Sequence, residues 1–224
     1  MLAFIVAVLR RWWYRKHPYL LVWAIGLTMF GIGSFTEVYS IVAWNAIVFG
    51  SWYLFGAMLN AAWLGQGTVY LLARRKTAHI TLAVLVGLSL VGLFGMLSMP
   101  LEATAFSTDL ALSEQYQEIL PSGAWVRGLT PFFNIYGLLT LGGGALYSAW
   151  LFWRKQVLLA RMWGCILIAA GAISISFASA LTRFGYGDFL YLGELVAAAL
   201  IFAGFMLASQ RATKSAIRPT ASEA

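Results

Sequence analysis

Apolar residues in this chain neither alternate nor recur at helical spacing; they come in long runs separated by short polar or charged stretches. A helix needs about 20 consecutive apolar residues to cross the hydrocarbon core of a bilayer. Six runs meet that length, at residues 18–42, 52–73, 79–99, 131–153, 162–182 and 189–209. The pattern predicts an all-α integral membrane protein, a single bundle of six transmembrane helices within residues 1–209. The polar tail, 210–224, carries too little apolar surface to fold and is expected to be disordered.

Polar and small residues within the runs refine this reading. The first run has Gly26 and Gly33 as close-packing positions and turns polar near its far end, with Ser34, Thr36, Glu37 and Tyr39. Asn45 and Gly50 read as a short turn. The second run holds Asn60 near mid-depth among the small residues Gly56, Ala57, Ala61 and Gly65, where neighbouring helices can approach. Arg74, Arg75 and Lys76 stop it, and Pro100 ends the third. The fourth run has Asn134 and Tyr136 early and Gly142-Gly143-Gly144 in its middle, which reads as a packing notch more than as a broken helix. Six Gly, aromatic and basic positions of the fourth run, Gly137 among them, can be laid over the second, Gly56 among them, an echo within what membrane composition produces by chance.

Two segments fall outside the runs. Residues 2–9 are apolar but too short to span, and Arg10, Arg11, Arg15 and Lys16 follow on the wrong side for a signal peptide. This N-terminal segment is expected to lie in the interface, the depth that Trp12, Trp13 and Tyr14 favour. Residues 101–128 form the one long loop. Ser107 or Thr108 can cap a short helix from Asp109 to Leu120, with Glu114 and Glu118 on one side and Leu112, Tyr116 and Ile119 on another, before Pro121 and Gly123 break it. That reads as an acidic, surface-lying helix, with a lid or partner-docking loop as the alternative.

Composition agrees with the runs: 61% of residues are hydrophobic and 10% charged, against about a quarter charged in soluble domains. The net charge of +7 is distributed in a way that argues against nucleic acid as a partner. Of fifteen Lys and Arg, thirteen fall in the N-terminal segment, residues 74–76, residues 154–161 or the tail, leaving Arg127 and Arg183. Positive residues stay cytoplasmic, so both termini are expected inside, in the plasma (inner) membrane, with the long loop outside. The single cysteine, Cys165, excludes an intramolecular disulfide and reads as apolar filler. Trp44, Trp52 and Trp125 fall at the outer interface and Trp12, Trp13, Trp150, Trp153 and Trp163 at the inner one, as in an aromatic belt. Trp63, near mid-depth, is core packing or part of an aromatic pocket beside Asn60.

Little chemistry is encoded. His17 and His79 sit at the cytoplasmic ends of spans, where they make poor haem or metal ligands. Nucleophile, metalloprotease and phosphate-cradling motifs are missing, as is a lysine within a span for a Schiff base. No cofactor or metal is expected.

What remains is polar residues in the outer half of the bundle, centred on residues 181–195. At about 1.5 Å of rise per residue, Glu194 and Glu37 each lie roughly 8 Å below the outer ends of their spans. Arg183 and Asp188 flank the turn Phe184-Gly185-Tyr186-Gly187. Tyr191 shares a helix face with Glu194, and Asn134, Tyr136 and Tyr39 are placed at the same depth. Buried charge is tolerable when paired, so Arg183 can clamp Glu37 or Glu194; two acids against one arginine also leave room for one acid to serve as a site. Three functions follow. The first is a non-enzymatic protein that binds or transports a small apolar or aromatic molecule, a lipid or a proton through this cluster. The second is an assembly subunit that meets a membrane partner through small-residue faces such as Gly193-x-x-x-Ala197 and Gly204-x-x-x-Ala208. The third is a membrane enzyme with Glu37 or Glu194 as general base.

Overall fold

The computed structural model describes residues 1–121, 123–155, 159–182 and 188–208, with the backbone alone at 179–182 and 188–190. No strand occurs among the described residues. The helices are α1 (Leu2–Arg15), α2 (Pro18–Ser40), α3 (Ala46–Leu72), α4 (Arg75–Ser98), α5 (Leu112–Ile119), α6 (Val126–Arg154), α7 (Leu159–Thr182) and α8 (Asp188–Ala208). Six of these, α2, α3, α4, α6, α7 and α8, are long and apolar enough to cross a membrane. Their order gathers Arg15, Lys16, Arg74, Arg75, Lys76, Arg154 and Lys155 at one end of the bundle, the basic end. Residues 99–125 lie at the opposite, loop end.

Small residues set the packing. The α7–α8 hairpin is the most extensive contact, and α3 sits centrally between α2, α6 and the peripheral α4. A Cβ added at Gly137 of α6 would stand 2.5 Å from the carbonyl carbon of Ala61 in α3, so these two helices touch backbone to backbone. Gly164 of α7 meets Gly204 and Ala208 of α8 in the same way, and Gly193 of α8 meets Ala178. The small-residue faces of α8 are therefore already covered by α7.

The helix ends depart from the sequence reading for identifiable reasons. Asn45 is a cap and not a turn residue: its Oδ1 accepts from the Ile47 and Val48 amides at 2.9 and 3.2 Å. This starts α3 at Ala46 and leaves Gly50 inside the helix. The fourth long helix begins at Val126, so Pro131 is interior to α6. Two stretches, Trp52–Leu59 in α3 and Leu138–Gly143 in α6, are π-helical. The triple glycine straddles the end of the second; Gly144 packs on Thr68, whereas a Cβ on Gly143 would meet nothing within 4 Å.

The N-terminal segment packs against the bundle along one face. It folds back along α2 as α1, with Phe4 and Val8 buried among Leu20, Ala24, Leu27 and Phe205. Phe4 stacks at 5.1 Å on Phe202 and 5.4 Å on Phe205. Fourteen residues make a helix about 21 Å long, and Ile5 lies opposite Gly31 well along α2. Its apolar face fills a groove between α2 and α8. The tail, 210–224, lies outside the described residues.

Candidate functional site

The loop end is closed by a folded cap. Residues 99–125 bury Leu112, Ile119 and Leu120 against Phe49, Trp52, Tyr53 and Met96, while Glu114 and Glu118 face outward. The two-sided pattern of the loop helix is as the sequence suggests, but the helix is anchored, shorter and capped differently. Ser107 Oγ only accepts from the Asp109 amide at 3.2 Å, and α5 begins at Leu112 with no side-chain cap from Ala111. Trp52 is 7% exposed in this core and its side chain also reaches Glu37. Gln115, 1% exposed, holds the preceding turn. Its Oε1 accepts from the Ser107 amide at 2.8 Å, and its Nε2 donates to the Ser107 and Leu110 carbonyls at 2.8 and 2.6 Å.

The cap is joined to the bundle through Glu37. Leu112, the first residue of α5, donates its amide to Glu37 Oε1 at 3.2 Å, and the Tyr191 hydroxyl of α8 donates to the same oxygen at 2.7 Å. A carboxylate at a helix N-terminus satisfies an otherwise unpaired amide and complements the helix dipole. Here a different helix supplies it. Glu194, one turn along α8 from Tyr191, is close enough for its charge to act on Glu37. Ser113 Oγ, buried, lies beside the Tyr191 hydroxyl. One charge thus links α2, α8 and the cap.

The other residues expected at this depth go elsewhere. Asn134 and Tyr136 are eight and ten residues into α6, roughly 12–15 Å from its loop end, because the helix starts five residues earlier than residue 131. Asn134 Nδ2 donates to the Ala57 carbonyl at 3.2 Å. The Tyr136 hydroxyl donates to Gln66 Oε1 at 2.6 Å, and Gln66 Nε2 donates to the Ala78 carbonyl and Thr81 Oγ1 at 2.9 and 3.1 Å. These bonds tie α3, α4 and α6 together toward the basic end. Tyr39 is 40% exposed and makes no side-chain hydrogen bond among the described residues. Arg183, together with the turn 184–187, lies outside the described residues. Asn60 Nδ2 donates to its own helix at the Gly56 carbonyl, 2.7 Å away, and Asn60 lines an apolar cavity. Trp63 instead points toward α4, its Nε1 donating to Ser89 Oγ at 3.3 Å, so it shares no pocket with Asn60.

Sequence reasoning therefore picks out Glu37, Tyr191 and Glu194 together but misses what they hold. The Leu112 amide carries no side-chain signal, and Gln115 and Gln66 read as ordinary polar residues until their burial is seen. The chain matches no protein-family model, no curated protein and no solved structure.

Proposed function

We propose that the chain is a non-enzymatic binding protein of the inner membrane, crossing it six times with both termini in the cytoplasm, whose loop-end cluster takes up a proton. The reading is carried by one observation: a single oxygen of Glu37 accepts both from the cap at Leu112 and from α8 at Tyr191. Protonating that carboxylate removes the charge that favours the α5 N-terminus and weakens both charge-assisted bonds. Proton binding is thereby coupled to release of residues 107–119.

The test is amide hydrogen exchange over residues 107–119, corrected for intrinsic exchange, across a pH series. In the wild type, protection at Leu112 falls on acidification. Glu37→Gln is weakly protected at every pH and shows no such change. A Glu37→Gln protein with wild-type protection and wild-type pH response refutes the reading. The assembly alternative through the small-residue faces of α8 is less well supported, since Gly193 and Gly204 are already packed on α7.

A further inference from the structure

A second polar residue of the bundle has no role in the cap. Asn60 is 7% exposed and lies near the middle of α3, about 21 Å from its loop-end start. It lines a cavity of about 60 Å3 between α1, α2, α3, α6, α7 and α8, with Leu27, Phe30, Leu138, Ala172 and Ala198 among its walls. A smaller apolar space of about 20 Å3 adjoins it, sharing Leu27 and Leu64. Asn60 is the one polar side chain on the wall of the larger cavity, which Met1, the residue bearing the α-amino group, also lines.

The orientation of that amide is fixed. Its nitrogen must be the atom facing the Gly56 carbonyl, 2.7 Å away, because two acceptors would repel. Oδ1 is then the atom offered to the cavity, and none of the described residues donates to it. We infer that this cavity is a binding site for a short-chain alcohol, a molecule of three or four carbons with one hydroxyl group, whose O–H donates to Asn60 Oδ1 while its carbons fill the apolar remainder.

Size and polarity select this class. A water-sized group takes about 10–15 Å3 of such space, so the cavity of about 60 Å3 has room for roughly four to six, enough for 1-propanol or 1-butanol. Water itself needs two to four polar partners to be held in a buried site, and the side chains of this wall offer one. A lipid acyl tail matches the walls but brings no donor for Oδ1, which would then stay unpaired in an apolar surround. A molecule that is apolar over most of its length and donates one hydrogen bond satisfies both.

The experiment uses the whole chain in phosphatidylcholine nanodiscs with 1-propanol as probe, read by ligand-observed saturation-transfer NMR against empty nanodiscs. Saturable transfer above the empty-disc signal is expected. Ala198→Leu, which fills the cavity and keeps Asn60, should weaken binding at least tenfold. Asn60→Ala should weaken 1-propanol at least fivefold yet retain xenon, an apolar probe with no donor, followed by xenon NMR. Transfer no larger than from empty nanodiscs overturns the inference, as does unchanged affinity in Ala198→Leu. Equal 1-propanol affinity in folded Asn60→Ala overturns the role given to Oδ1. Should Asn60→Ala fail to fold, Ala198→Leu decides the site by itself.

Discussion

At the scale of single residues, Glu37 and Gln115 do related work by different chemistry. Glu37 places a charge beside Trp52 and on the Leu112 amide and Tyr191 hydroxyl, 75 and 154 residues away, whereas Gln115 uses a neutral amide on three backbone groups of its own loop. Hydrogen bonds to charged groups contribute about 1.5–3 kcal/mol and neutral ones about 1. Glu37→Gln keeps an acceptor but loses the charge, so an expected loss is about 1 kcal/mol in reversible unfolding in mixed micelles. Tyr191→Phe should cost a similar amount. Because both changes touch one bond, the double variant should lose less than the sum of the two; strict additivity would mean the Tyr191–Glu37 contact contributes nothing. Gln115→Leu leaves the Ser107 amide and the Ser107 and Leu110 carbonyls without their partner in a partly buried position. A loss of about 2–3 kcal/mol is expected, with faster exchange of the Ser107 amide as its local signature. A variant as stable as wild type would show that the turn is held by something other than Gln115.

At the scale of elements, glycines separate into those that set a helix contact and those that do not. Gly137 faces the Ala61 backbone, which cannot rotate away, so Gly137→Ala must push α6 from α3 and should cost about 1–3 kcal/mol, as overpacking does. Gly143 faces open space, and Ala there should be neutral or stabilising by up to about 1 kcal/mol through helix propensity. Thermal unfolding of the two variants side by side checks this: similar melting temperatures would contradict the contact. The same logic explains what the sequence makes legible. The six long helices follow from run length alone, because only an apolar helix of that length suits a bilayer, and the two faces of α5 follow from the spacing of Leu112, Glu114, Glu118 and Ile119. The helix starts do not follow, since Asn45 is chemically suited to a turn or a cap and Pro131 to a first turn or an early interior position. The π-helical stretches have no side-chain signature, although the glycines aligned by the weak echo, Gly56 and Gly137, fall within one stretch and directly before the other. The fold-back of α1 and the capping of α5 by Glu37 are long-range contacts that local pattern cannot encode.

At the scale of the whole molecule, the proton reading depends on which side of the membrane the cap faces. The fold places the 10–16, 74–76 and 154–155 basic groups at one end and the cap at the other, so a single orientation decides all of them. Lys and Arg near span ends are retained on the cytoplasmic side, and reversing the bundle would put all of these groups outside at once. The cap, with Glu114 and Glu118 exposed, is then expected to face the exterior, where the medium can deliver a proton to Glu37. The check is labelling of single introduced cysteines with a membrane-impermeant maleimide in intact cells, in a Cys165→Ala background, Cys165 itself being buried. Glu114→Cys should label without permeabilisation, and Lys76→Cys only after it. The reverse pattern would point the cap to the cytoplasm, and Glu37 would then respond to internal and not external pH. Labelling of both positions in intact cells would break the link between basic end and cytoplasm, and with it the argument that a proton from outside reaches the latch.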